Sequence, residues 1–160
     1  ETVAGIIGAD LINPFDHLID LRANTLTVSD EALACDGHVQ SLDFYMGVPM
    51  LEAQVGGARC KLFFDTGAQI SYYQSSVPPG AEPAGTVDDF FPTVGKFTTD
   101  THRFPVALNG FSPVVRSGKL PGLMGMSLGM AGVSGILGNE LMRARITGYF
   151  PRRGILILQP

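Results

Sequence analysis

One acidic side chain stands where a carboxylate needs support. In Leu62-Phe63-Phe64-Asp65-Thr66-Gly67-Ala68 an aspartate directly follows an apolar run, and an ionised carboxylate at the end of a buried strand is costly unless it is hydrogen-bonded or paired. An isolated Asp-Thr-Gly reads as a turn whose carboxylate accepts backbone N–H groups. The same side chain also suits proton transfer. Two carboxylates held close share one proton, so that one holds a water as base while the other protonates a carbonyl. One aspartate cannot do this alone, and the chain has a single hydrophobic-Asp-Thr-Gly: Asp36-Gly37 follows Ala34-Cys35 and lacks the strand before it.

Other reactive residues lack partners. Gly125-Met126-Ser127-Leu128-Gly129 fits a nucleophile elbow, but after Ser127 the sequence has no His, no Asp and only Glu140 as an acid, whereas that machinery needs an acid and a His after its serine. His17, His38 and His102 are scattered without metal spacing, and no zinc-helix or phosphate-loop pattern occurs. No metal and no organic cofactor is expected. Cys35 and Cys60 are too few for a disulfide framework, and their spacing leaves both pairing and free thiols open.

The elements around Asp65 are legible. With 160 residues, 45% hydrophobic and 16% charged, 20 Gly and 11 Pro, the chain suits one compact, mostly β domain of short strands and tight turns. Val48–Val55 reads as a strand, Gly56-Gly57 as a hairpin turn and residues 59–64 as the returning strand that ends on Asp65. Residues 78–85 form a loop by composition, and Phe90-Phe91-Pro92 with Gly95 suits a mobile cover. Further strands are expected at 97–108, turning at Asn109-Gly110, and at 112–116.

An internal copy organises the rest. Gly5-Ile6-Ile7-Gly8-Ala9-Asp10-Leu11-Ile12 reappears as Gly135-Ile136-Leu137-Gly138-Asn139-Glu140-Leu141-Met142, each followed at similar distance by a β-rich stretch. Two aliphatics ending a buried strand, a glycine turn and an acidic or amide residue opening a short helix account for the pattern, with Leu141 and Met142 facing the core.

The strand before Asp65, Ala68 and Ser71 after it, and the aliphatic-aliphatic-Gly segment about seventy residues downstream resemble the retropepsin-like aspartic proteases. The resemblance covers residues 49–157 and implies a closed β-barrel lobe with one short helix after the Gly135 to Gly138 segment. It implies that Asp65 is a catalytic carboxylate, Thr66 a hydroxyl tying two active-site loops together, Gly67 an N–H donor to the carboxylate, and Ser71 a supporting hydroxyl, with Ala68 also supporting the active site. It also implies a flap over about 87–102, a peptide substrate, and a second Asp from an upstream lobe or a homodimer partner. The copy at Gly5 favours the upstream lobe. The domain reading is therefore residues 1–30 as the closing segment of a preceding lobe, 31–47 as a linker and 48–160 as the lobe itself.

The net charge of −4 and the lack of a basic stripe exclude a polyanion-binding footprint, so no nucleic acid is expected. Arg143, Arg145, Arg152 and Arg153 read as a solvated face or an interface edge. Residues 120–139 carry no charge, but six glycines and a proline make a poor membrane span. A start at Glu1 without a basic or apolar leader suggests a processed or excised soluble product, leaning to an extracytoplasmic setting. Two functions compete: an aspartic endopeptidase, and a non-catalytic peptide-binding or assembly module of the same fold.

Overall fold

A computed structural model describes residues 5, 7–91, 94–143 and 145–159. It is mostly β, with 51% of residues in strands and 13% in helices. In chain order come helix α1 (Ala9–Ile12) and strands β1 (Asp16–Asp20), β2 (Thr25–Ser29), β3 (His38–Ser41), β4 (Asp43–Tyr45), β5 (Val48–Val55), β6 (Ala58–Phe64), β7 (Ser71–Tyr73), β8 (Glu82–Phe91), β9 (Gly95–Ala107) and β10 (Val114–Gly118). Helix α2 (Gly122–Met130), β11 (Gly135–Leu137), a 3-10 turn (Asn139–Met142), β12 (Ile146–Phe150), a second 3-10 turn (Pro151–Arg153) and β13 (Ile155–Leu158) follow.

One sheet closes on itself. Its order is β4-β5-β6-β11-β7-β10-β9-β8, and β5 also pairs with β9, so β5, β6, β11, β7, β10 and β9 form a ring. The alternation of β5, with Met50, Leu51, Ala53 and Val55 buried, matches a strand with one face on the core. Its hairpin to β6 turns on Gly56 and Gly57, with φ of +58° and +83°, as a two-residue turn with both central residues left-handed requires. Inside the ring lie Leu51, Leu62, Phe64, Val106, Val115 and Leu137, each at most 3% exposed, each contributing roughly 1.5–3 kcal/mol by burial.

The second sheet has the order β2-β1-β12-β13-β3. Its elements repeat with a constant offset of 130 residues: α1 starts at 9 and the turn after β11 at 139, β1 at 16 and β12 at 146, β2 at 25 and β13 at 155. Strands β1 and β12 pair antiparallel. Leu18 faces Gly148, its own counterpart, while His17 faces Tyr149 and Ile19 faces Thr147. A residue opposite its own equivalent is the register of a local two-fold axis.

Several expectations change here. The segment 31–47, read as a linker, carries two strands: β3 pairs with β13 and β4 with β5. Backbone hydrogen bonding across the sheets recruits it, although its sequence has no sustained period. Strands β1 and β2, from the segment read as the closing part of a preceding lobe, share a sheet with β12 and β13. Gly5 and Ile7 are not in a strand, whereas Gly135–Leu137 is β11 between β6 and β7; Ile6 lies outside the described residues. The charge-free stretch holds α2, a second helix beyond the one expected. Its glycines and uniformly apolar residues hid any helical period, since only Leu128 is buried. Among the described residues no helix is long and apolar enough to cross a membrane.

Arg143, Arg152 and Arg153 are exposed, yet Arg152 and Arg153 also act as fasteners. Asp16, with no exposed surface, is met by Arg152 Nη2 at 3.3 Å and Arg153 Nη2 at 2.6 Å, and accepts the Leu33 N–H at 3.0 Å. Arg153 also lies 3.9 Å over the Phe150 ring, and Arg145 lies 4.3 Å over Phe111. Burial alone would raise the Asp16 carboxyl, but the Leu33 N–H and the two guanidinium groups outweigh it and hold it below its ordinary value. A lowered carboxyl stabilises the fold above the unfolded value, about 3.9, and that contribution is lost as pH falls through the lowered folded value. Asp16→Asn is expected to cost about 3 kcal/mol at pH 7, measured by urea unfolding, with the gap to the parent protein closing in strong acid.

Candidate active site

Strand β6 carries Asp65 out of the core, and β11 decides where it stops. Strands β6 and β11 run parallel with Phe64 beside Leu137, and the Asp65 N–H donates to the Leu137 carbonyl at 3.0 Å. The loop then folds back: the Gly67 N–H donates to Asp65 Oδ1 at 2.8 Å and the Ala68 N–H to the Asp65 carbonyl at 3.3 Å. From the other side Asn139 clamps the loop, its N–H donating to the Ala68 carbonyl at 2.8 Å and its Nδ2 to the Thr66 carbonyl at 3.2 Å. Thr66 is exposed, and it is its carbonyl that takes part in this clamp.

Behind the loop lies a polar knot. The buried Ser71 Oγ accepts the Gly138 N–H at 3.1 Å and donates to Glu140 Oε1 at 3.2 Å; that oxygen also accepts the Arg116 N–H at 2.9 Å. The Arg116 side chain continues to the Thr101 hydroxyl at 2.9 Å and the Ala84 carbonyl at 2.6 Å, which joins the knot to β8 and β9. Burial pushes the Glu140 carboxyl above its ordinary value, opposed by the Arg116 and Ser71 hydrogen bonds and by Arg143.

Asp65 differs from expectation in one respect. It ends an apolar strand, yet it is exposed, as are Thr66 and Gly67. Among the described residues nothing buries the loop, so the expense of a buried lone carboxylate does not arise. Asp65 and Thr66 instead line a mainly apolar cleft of about 1170 Å³, together with Phe91 and Met124 from the barrel and Ile7 and Leu26 from the first copy.

Strands β8 and β9 make the long hairpin foreseen as a flap. It turns between Phe91 and Gly95, which pair, and Gly95 has φ +85°. Phe90 is exposed; Pro92 lies outside the described residues. The hairpin is moored by the Tyr72 hydroxyl, which donates to Asp89 Oδ2, and by the Tyr72 and Phe97 rings at 6.3 Å. Burial, then the Asp89 carboxylate, raises the Tyr72 hydroxyl above its ordinary value, so it remains a proton donor.

Of the other sequence candidates, Ser127 and His17 line the same cleft but are engaged with backbone carbonyls, and His38 lies outside it. Ser127 lies within α2 and donates to the Leu123 carbonyl at 3.0 Å, without the strand-to-helix turn of a nucleophile elbow. His17 Nε2–H donates to the Ile12 carbonyl at 2.8 Å, and His38 stacks on Phe111 at 5.5 Å. Both cysteines are free. No metal-binding group of His, Cys, Asp or Glu occurs among the described residues. Glu140 was visible as the acidic position of the repeat, but its bond to Ser71, 69 residues away, was not. Tyr72 and Asp89 carried no signal, because only the folding of the hairpin joins them. No protein-family model and no characterised protein matches the chain.

Two outcomes follow from the knot and the mooring. A carboxyl raised by folding favours the fold below the ordinary glutamate value, about 4.3, and loses that advantage as pH rises through the raised value. Glu140→Gln should therefore flatten stability between about pH 4 and 7 while remaining at least as stable as the parent at pH 7, whereas Glu140→Ala should cost about 2 kcal/mol by stranding Ser71 and the Arg116 N–H; urea unfolding across that range reads both. Tyr72→Phe should accelerate amide exchange at 86–99 by about tenfold, with little change in β5 and β6.

Proposed function

We propose that the chain is one lobe of a retropepsin-like aspartic endopeptidase, with Asp65 as one of two carboxylates that activate a water for peptide-bond hydrolysis. The observation that carries this reading is the placement of Asp65. It stands at a cleft, held from behind by Gly67, Leu137 and Asn139, beside a long hairpin that turns at Phe91. In this reading an extended peptide enters as an added strand beneath the hairpin. Gly67 keeps one carboxylate oxygen oriented, and Ala68 and Ser71 fix the loop against β11 and Glu140.

The second carboxylate comes from outside these residues, through a second lobe or a homodimer partner. Like charges in contact cannot both ionise, so the pair shares a proton and titrates as a unit, placing activity on the acidic side of neutrality. The water attacks the scissile carbonyl carbon, one carboxylate takes the water's proton, and the other protonates the carbonyl oxygen. Collapse of the resulting diol breaks the C–N bond with a proton delivered to the leaving amine.

A second reading, a non-catalytic peptide-binding or assembly module, is favoured by one fact: Asp65 stands exposed at the cleft, and among the described residues its carboxylate is met by the Gly67 N–H and not by another carboxyl. Asp65→Asn separates the two. It preserves size and removes the charge and shared proton, so hydrolysis of an unstructured polypeptide at pH 4 to 6 should fall by about 10²–10⁴-fold while binding persists. Hydrolysis that survives this substitution refutes the assignment, and binding without hydrolysis in the unaltered protein selects the module.

A further inference from the structure

The long hairpin leaves the barrel at a break in its own ladder. Strand β9 pairs with β5 at Val106 and Ala107 and with β10 from His102 to Pro105, but from Asp100 to Gly95 it pairs with β8 alone among the described residues. At that level the register slips. Pro83 faces His102 and Thr86 faces Asp100, so Ala84 and Gly85 together stand opposite Thr101. Two residues opposite one make a β-bulge, which bends a strand and disrupts its ladder. Gly85 has φ +73°, a left-handed conformation that glycine adopts without penalty. The bulge is where the angle of the hairpin to the barrel is set.

Backbone groups that a bulge removes from the ladder need other partners, and here two side chains supply them. Arg116 Nη2 donates to the Ala84 carbonyl at 2.6 Å and to the Thr86 carbonyl at 3.2 Å, and the Thr101 hydroxyl donates to the Gly85 carbonyl at 2.7 Å. The Arg116 Nε–H donates to the Thr101 hydroxyl oxygen at 2.9 Å, which joins the two side chains into one clasp. Three consecutive carbonyls of β8 are held in this way. A guanidinium suits the task, because its donors are fixed in one planar fork. While the side chain grips the hairpin, the Arg116 N–H donates to Glu140 Oε1, the oxygen that also accepts from Ser71, and Ser71 accepts the Gly138 N–H. One residue therefore spans the base of the hairpin and the support of the Asp65 loop.

We infer that Arg116 is a positioning residue that sets the height and angle of the β8–β9 hairpin over the cleft relative to the Asp65 loop. The hairpin has two other moorings, the Tyr72 hydroxyl on Asp89 nearer its turn and the Lys119 N–H on the Thr99 hydroxyl at 2.9 Å. Neither involves Glu140. A second cavity of about 600 Å³, bounded by Phe97, Asp100, Lys119 and Pro121, lies beside β9 and gives the hairpin room to lean once the clasp is opened. On the peptidase reading, on which this last step alone rests, the peptide lies beneath the hairpin. Arg116 then governs how tightly the peptide is held more than the chemistry at Asp65.

Amide exchange and residual dipolar couplings on the 160-residue chain test the role with Arg116→Met, which keeps an unbranched apolar stem and the backbone N–H on Glu140 and removes the fork. Amides at 86–91 and 95–100 should exchange about tenfold faster, while those of β5, β6 and β11 match the parent. The couplings of the same hairpin residues should cease to fit the orientation of the barrel while still fitting one another. Thr101→Val opens the clasp from its other side with a side chain of nearly the same shape, and reads the role where Arg116→Met fails to fold. The two together should exceed the larger single effect by no more than about twofold, because they break one clasp, whereas Arg116→Met and Tyr72→Phe should multiply. Hairpin couplings that stay with the barrel in both clasp variants overturn the inference, as does acceleration spread evenly through β5, β6 and β11. In the hydrolysis assay at pH 4 to 6, Arg116→Met should raise KM by about tenfold and lower kcat by less than about threefold. A displaced hairpin with KM unchanged overturns the link to the peptide. Absence of hydrolysis in the unaltered protein refutes the peptidase reading instead, and the couplings still decide the role of Arg116.

Discussion

The passage of β11 between β6 and β7 is the constraint on which the molecule depends. It runs parallel to one neighbour and antiparallel to the other, and the backbones approach so closely that side chains are excluded at two points. A Cβ on Gly135 would lie 2.0 Å from the Tyr72 carbonyl oxygen, and one on Gly138 2.5 Å from the Ile70 carbonyl oxygen. Because those are backbone atoms, one in β7 and one immediately before it, they cannot swing aside as a side chain would. The close passage brings the Leu137 carbonyl to the Asp65 N–H and the Gly138 N–H to Ser71, so the carboxylate loop and the knot behind it are both hung on this strand.

The charged groups sort by what they hold. Asp16 secures the first copy to the second through Arg152 and Arg153 and is stabilised in its ionised form despite complete burial. Glu140 holds the carboxylate loop's foundation and is driven by burial toward its neutral form. Two acids with opposite pH responses therefore anchor opposite parts of the chain. Asp65 fastens no other element in this way; the chain leaves it open to the cleft.

Much of the barrel was legible because its signals are local. The alternation of β5, the Gly56-Gly57 turn, the apolar run of β6 and the Asn109-Gly110 turn depend on residues within a few positions of one another. Strand β3 was not legible because its partner is far along the chain, Leu156 beside Gln40; β4 pairs locally with β5 across Met46 and Gly47, but Met46 is not a residue that signals a left-handed turn. Helix α2 escaped notice because its apolar residues surround it instead of forming one stripe, leaving Leu123, Met126 and Met130 exposed.

The internal repeat shows where sequence stops. By itself the sequence determined that Gly5 to Ile12 and Gly135 to Met142 are two editions of one segment, and that Asp65 ends an apolar strand, because repetition and period are properties of neighbouring residues. Only the tertiary structure decided that one edition is buried in a barrel while the other lies open, and that Leu18 meets Gly148 on a two-fold axis. The physical reason is that burial and strand register arise between segments more than a hundred residues apart, where no local pattern records which surface has a partner.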